Sequence, residues 1–456
     1  MTTPSPSIPS IPELSRTFAR IGVLGFGGPA AQIALMHRIL VEEKRWIGEA
    51  RFLHALNFCM LLPGPEAQQL ATYMGWLMHG VRGGVIAGVL FILPGAVIMM
   101  ALSALYAVYA DLTVVQGIFY GVKCAVLAIV LQALIRVGAR ALKTTALRLI
   151  ALAAFLALFL FALPFPLVIV AAGVAGFMLS RLAPGMLVMK GGHAISGGPA
   201  EGVVDRLIEA GGLGHTRPGA RAVWMQAAVW VTLWLAPVGV LLAVAGPENV
   251  FAQLGLFFAQ MAVVTFGGAY AVLSYVAQAA VQTFGWVTPQ EMVDGLGLAE
   301  TTPGPLILVL QFVGFLAAFR AATGLDPMLA GALGALLTLW VTFVPSFLFI
   351  FAGGPYAESL RAKPGLSAAL TGITAAVVGV IAHLGLWFAL HVLFAEVTTV
   401  TGWGLHVSAP VLASADPVAI ALSAAAIGLA ICTKTGVGML VLVFALAGLA
   451  LKLAGL

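Results

Sequence analysis

Two short motifs occur twice in this chain, and each interrupts an apolar run. They are Phe26-Gly27-Gly28-Pro29 with Phe266-Gly267-Gly268, and Pro63-Gly64-Pro65 with Pro303-Gly304-Pro305. Glycine and proline break helical hydrogen bonding, and a proline just after glycine suits the first residue of a new helix. The spacing predicts helix starts at Pro29, Pro65 and Pro305 and near Ala269. Each start offers free backbone N–H donors and the positive end of a helix dipole. Four such ends brought together make an anion site out of backbone, each contributing about 0.3–2 kcal/mol toward the anion. The candidate binding residues are therefore Gly27, Gly28, Pro29, Pro63, Gly64, Pro65, Gly267, Gly268, Gly304 and Pro305, with Thr301 and Thr302 adding hydroxyls.

Ionisable residues inside apolar segments are functional candidates by default. Lys123, mid-segment in Gly121-Val122-Lys123-Cys124, is a natural counter-charge for a dianion. Glu66 follows the first Pro-Gly-Pro, and Glu300 precedes the second. An ionised carboxylate beside an anion site repels the ligand and a protonated one does not, so either residue is a candidate for coupling anion movement to protons. Gln68 and Gln69 are neutral donors in the same stretch, and His383 lies alone in a later segment. The bland readings are helix kinks for the motifs, a helix cap for Glu66, a carboxylate partner for Lys123 and a packed imidazole for His383. No catalytic set, metal-ligand cluster or nucleotide loop is present, so no cofactor is expected.

The elements that must carry these residues are membrane helices. Of 456 residues 61% are apolar and only 9% charged, against about 25% charge in a soluble domain. With a mean hydropathy of +1.08, the polar residues cannot coat a soluble core. The chain reads as an all-α polytopic membrane protein embedded in a lipid bilayer, which argues against soluble enzymes and nucleic-acid binders. Nine stretches are long and apolar enough to cross: roughly 84–110, 112–135, 147–163, 166–180, 223–246, 327–352, 366–396, 417–432 and 435–451. Four more, 21–36, 52–79, 256–276 and 292–318, contain the breaks. Residues 1–15 read as a disordered tail, and 183–222, rich in Gly and Pro, as a flexible cytoplasmic linker. The three cysteines lie far apart and read as packing residues.

A shift of 240 residues superimposes the motifs and also Trp46 on Trp286, with 11 of 44 positions from Gly22 to Pro65 identical without a gap. A shift of 251 then puts Pro94 on Pro345 and Gly121 on Gly372. The expected organisation is a first repeat at 16–182, a second at 223–400, and two additional transmembrane helices in 401–456. Loops 37–51 and 136–148 are basic where their counterparts 277–291 and 387–399 carry no Lys or Arg, and 353–363 is basic where 102–112 is not. Basic loops stay cytoplasmic, so the repeats are expected to be inverted, with discontinuous, re-entrant or broken helices meeting near the membrane midplane. That is the architecture of secondary transporters. The same reasoning places the N-terminus in the cytoplasm.

The run Phe-Gly-Gly-Pro, Trp46, Leu62-Pro63-Gly64-Pro65, Tyr73 and Gly75, together with its second copy from Thr265 to Gly314, resembles the long, two-domain form of the chromate ion transporter family. Phe91-Ile92-Leu93-Pro94-Gly95 and Gly121-Val122-Lys123 fit the same pattern, and the resemblance covers roughly 16–400. It implies a chromate exporter in the inner (plasma) membrane, driven by the membrane potential or proton gradient, with sulfate as a competitor. The alternatives are a sulfate or other oxyanion carrier, an anion channel, a membrane-embedded enzyme and a subunit of a membrane complex. A homodimer is compatible with the sequence and not demanded by it.

Overall fold

The computed structural model describes residues 8–182, 202–209, 213–216, 219–266, 269–321, 323–356, 364–402, 404–433 and 435–455. Gly267 and Gly268 therefore lie outside the described residues, as do Arg361, Lys363 and most of the linker. The fold is helical apart from one hairpin. Its helices are α1 (Ile11–Leu24), α2 (Gly28–His37), α3 (Glu49–Cys59), α4 (Glu66–Tyr109), α5 (Thr113–Ala141), α6 (Thr145–Phe161), α7 (Phe165–Leu182), α8 (Val203–Glu209), α9 (Ala220–Ala245), α10 (Val250–Val264), α11 (Ala269–Gln278), α12 (Pro289–Thr301), α13 (Val309–Arg320), α14 (Pro327–Gly353), α15 (Pro364–Leu393), α16 (Pro417–Cys432) and α17 (Val437–Leu453). The strands β1 (Val397–Gly402) and β2 (Leu405–Pro410) pair antiparallel. Among the described residues, six helices are long and apolar enough to cross a membrane, and several shorter apolar ones accompany them.

Local sequence explains where the helices stop. α1 ends before Gly25 and α2 starts at Gly28, with Pro29 in its first turn. α4 starts at Glu66 behind Pro65. After the second Pro-Gly-Pro, a 3₁₀ turn over Leu306–Leu308 runs into α13. Gly64 and Gly304 have φ of 118° and 100°, a region L-residues avoid, so only glycine turns the chain there without strain. A non-helical pair, His79-Gly80, divides α4 into a buried first part and a long second part.

Two expectations are corrected. The tail is shorter than 1–15, because α1 begins at Ile11: Ser10 caps it by accepting from the Glu13 N–H at 3.4 Å, and Leu14 is buried. The described part of 183–222 is docked and partly helical. Asp205 of α8 accepts from the Gly48 N–H at 2.6 Å and pairs with Arg51, while His215 bonds the Trp76 carbonyl at 2.8 Å.

Packing between the halves is reciprocal. α5 packs against α16 and α17, and α15 packs against α6 and α7. Glycines meet at two of these crossings, Gly121 on Gly448 and Gly372 on Gly176. A Cβ on Gly121 would meet the Phe444 carbonyl oxygen at 1.7 Å, and one on Gly372 would meet that of Ala172 at 2.4 Å. Small residues let helix backbones approach this closely, which is how membrane helices gain packing energy without a hydrophobic driving force.

Candidate anion-binding site

The Pro-Gly-Pro turns and the chain breaks after α1 and α10 bond to each other. The Gly64 N–H donates to the Thr265 carbonyl at 2.8 Å, and the Gly304 N–H donates to the Gly25 carbonyl at 3.0 Å. The two bonds are related by the shift of 240 residues. Each joins a Pro-Gly-Pro turn to the last carbonyl of a helix in the other half, so these two N–H groups are already used. Buried glutamines hold the same backbone. Gln32 donates to the carbonyls of Gly25 at 3.1 Å and Gly304 at 2.5 Å, and Gln69 to that of Pro63 at 2.6 Å. Their Oε1 atoms are buried without a partner among the described residues.

Beside this junction lies a cavity of about 750 Å³. Gly27, Gly28 and Pro29 line it, with Gly64 and Glu66 from the first Pro-Gly-Pro turn. The two helix N-termini concerned, of α2 and α4, have no side-chain cap. A Cβ on Gly28 would meet nothing within 4 Å, so that backbone faces open space. From the second half come Tyr270, which donates a short hydrogen bond to Glu300, and Glu300 itself, 5% exposed. From α5 come Gln132, Arg136 and Arg140. Toward the mouth, His37 bonds Glu49 at 2.5 Å and lies 3.2 Å from Glu42. One cavity thus holds two open helix N-termini, two guanidiniums and the carboxylates of Glu66 and Glu300, with a third carboxylate, Glu42, also in its lining. Each helix end contributes about 0.3–2 kcal/mol toward a bound anion, and a hydrogen bond from a guanidinium about 1.5–3 kcal/mol.

Other sequence candidates lie elsewhere. Pro63 and Pro65 shape the turn, and Pro305 and Gly304 the equivalent one, but Gly304 and Pro305 do not line the cavity. Thr301 donates to carbonyls of its own helix at Gly297 and Leu298, and Thr302 to that of Ala299, so their hydroxyl protons are occupied. Lys123 is not brought to the cavity. Its Nζ lies 3.4 Å from Asp294 Oδ1, and Tyr106 donates to the other oxygen of that carboxylate at 2.8 Å. Sequence reasoning did not single out Arg136 as a ligand. It counted the residue among topology-determining charges, although its place within α5, less than two turns before the helix ends at Ala141, was a usable signal.

The chain matches the family model described as Chromate transporter over residues 12–177 and 252–451. It belongs to the chromate transporter family. It is 34% identical to a chromate transport protein of Pseudomonas aeruginosa over 82% of this chain and 79% of that protein. Identity to a chromate transport protein of Cupriavidus metallidurans is 31%, over 81% and 80% of the two chains. To a probable chromate transport protein of Synechococcus elongatus it is 28%, over 82% and 83%. No solved structure matches the chain. A chromate transporter family member is a multi-pass membrane transporter and not an enzyme. The second family match runs to residue 451, so it includes α16 and α17, which the sequence had placed outside the repeat.

Proposed function

We propose that this transporter exports chromate from the cytoplasm by secondary active transport, and that the 750 Å³ cavity is its cytoplasmic entry and binding site. The observation that carries the reading is the convergence of the α2 and α4 N-termini, Arg136 and two carboxylates on one cavity in a chain of this family. The tetrahedral dianion binds against the backbone of Gly27 and Gly28 at the α2 N-terminus, with the Arg136 guanidinium as counter-charge. Glu300 and Glu66 set the coupling. Ionised, they repel the dianion; protonated, they admit it, so proton and anion are loaded together from the same side and carried in the same direction, with net negative charge moving outward down the membrane potential.

The architecture follows the same reading. The two family-matched stretches are two inverted repeats, in which α16–α17 answer to α6–α7 and the β1–β2 hairpin is an insertion of the second half. The reciprocal crossings Gly121–Gly448 and Gly372–Gly176 support it: Gly121 and Gly372 correspond under the 251-residue shift, and each packs on a glycine of the last helix in the other matched stretch. The basic loops 37–51 and 136–148 then face the cytoplasm, as does the N-terminus, with the chain in the inner membrane.

Radiolabelled chromate flux in inverted vesicles tests this, with and without a pH gradient and with sulfate as competitor. Saturable, gradient-dependent entry of chromate is the expected result. Backbone N–H and guanidinium donors read four oxygens and a double charge rather than the central atom. Sulfate entry without chromate entry would therefore reassign the substrate, and flux of neither anion would overturn the transport reading of the cavity.

A further inference from the structure

A second cavity, of about 370 Å³, lies at the other end of the helices. The first cavity opens beside Arg140 and Ala141, at the end of α5. From there α6 runs away for 17 residues, about 25 Å, to Phe159 and Ala162, which line the second. Thr399, His406 and Ser408 of the β1–β2 hairpin also line it.

Two helices border both cavities. On α11, Tyr270 lines the first cavity and Ser274 the second; on α15, Ile381 lines the first and His383 the second. The wall between them along these helices is therefore at most about one turn, on the order of 5 Å. Ser274 Oγ and His383 Nδ1 hydrogen bond at 2.9 Å on the far side of this wall, and Tyr270 bonds Glu300 on the near side. The cavities also occupy corresponding places in the chain. Shifts of 240 and 251 residues carry Ala34, Glu42, Gln132 and Arg136 of the first onto Ser274, Gln282, His383 and Trp387 of the second.

We propose that the second cavity is the exit vestibule for the same oxyanion, roofed by the hairpin, and that the Ser274–His383 contact is the gate dividing it from the entry cavity. The inference rests on the transport reading above. The vestibule offers hydroxyl, amide and imidazole groups where the entry cavity offers guanidiniums. Neutral donors hold an anion less firmly than charge-assisted ones, which suits release. Breaking the Ser274–His383 bond while Tyr270 swings from Glu300 opens the wall; restoring both closes it.

The test uses full-length protein in vesicles of both orientations, in a background with Cys59, Cys124 and Cys432 replaced by alanine. Ser408→Cys and Ser274→Cys are treated with a membrane-impermeant methanethiosulfonate reagent. Both should react from the face opposite the Arg136 cavity, and Ser274→Cys several-fold faster during chromate flux than at rest. Reaction of Ser274→Cys only from the Arg136 face, or from neither, overturns the vestibule. Independently, His383→Ala should raise gradient-free chromate leak at least five-fold while chromate still saturates the entry cavity. Unchanged leak with unchanged coupled flux overturns the gate. Saturable flux in the parent protein with negative results in the variants leaves the transport reading standing; absence of flux in the parent removes both.

Discussion

The cavity beside the first-half breaks and the cavity under the hairpin are built from corresponding residues, yet one is charged and the other neutral. Arg136 and Glu42 of the first answer to Trp387 and Gln282 of the second. On the function proposed above, corresponding helices (α2 and α5, α11 and α15) carry a capture site in one cavity and a release site in the other. The difference teaches that corresponding positions share backbone features while their charged side chains differ. Backbone features are kept in both halves: the Gly-to-carbonyl bonds at Gly64 and Gly304, and the glycine crossings at Gly121 and Gly372. Ionisable groups are not: Arg136 and Glu42 have no charged counterparts, a difference that bears on affinity at each cavity.

The largest effect that bears on this contrast is at Lys123, which belongs to neither cavity of the pair. Lys123→Gln leaves Asp294 buried without its counter-charge, and breaking a buried pair costs about 3–5 kcal/mol. Thermal unfolding in detergent should show a large drop in Tm with KM for chromate changed less than twofold, and Lys123→Gln with Asp294→Asn should recover most of the stability. A rise in KM with stability intact would return Lys123 to the site and break the assignment of the counter-charge to Arg136.

Arg136→Gln comes next. Losing a charged donor, about 1.5–3 kcal/mol, should raise KM for chromate roughly ten- to one-hundred-fold with little change in Tm. Trp387→Arg sharpens the contrast from the other side: a guanidinium in the vestibule should slow turnover while leaving KM at the cytoplasmic face nearly unchanged. An unaltered KM in Arg136→Gln would mean that Arg136 is not the counter-charge of the anion.

A smaller effect is expected at Gly64→Ala. Its positive φ costs an L-residue about 1–2 kcal/mol, and the added Cβ would lie 2.7 Å from Gln69 Nε2, disturbing that side chain's bond to Pro63. Anion affinity and Tm should fall together, and Gly304→Ala should lower Tm with a weaker effect on affinity, since Gly304 does not line the cavity. The smallest change is in pH response. Protonating Glu300 removes a negative charge next to the anion, so KM should fall as cytoplasmic pH falls; Glu300→Gln should have a low KM that no longer varies with pH. A pH-dependent KM in that variant would move the coupling to Glu66.

Much of the fold was legible because membrane helices announce themselves locally. The nine apolar stretches correspond to the second part of α4 and to α5, α6, α7, α9, α14, α15, α16 and α17, and helix starts fall within about one turn of Pro29, Pro65, Ala269 and Pro305. Hydropathy and the missing N–H of proline are properties of the residues themselves, so they survive any tertiary context. The docking of α8 was not legible: Asp205 and Arg51 are 154 positions apart, and nothing local tells a docked polar segment from a free one. The hairpin was missed for a similar reason. Its alternation is short and weak, and it is held by pairing between two strands rather than by either one.

By itself the sequence determined the membrane class, the positions of the breaks and their duplication, because these depend on backbone chemistry within a few residues. Tertiary structure alone decided which charges meet. It sent Lys123 to Asp294, brought Arg136 and Glu300 to one cavity, and turned the Gly64 and Gly304 N–H groups onto carbonyls of the opposite half instead of leaving them free. Those outcomes depend on helix crossings set by packing at Gly121, Gly176, Gly372 and Gly448. In a medium without water, a buried charge or N–H must find a partner wherever the packing puts one.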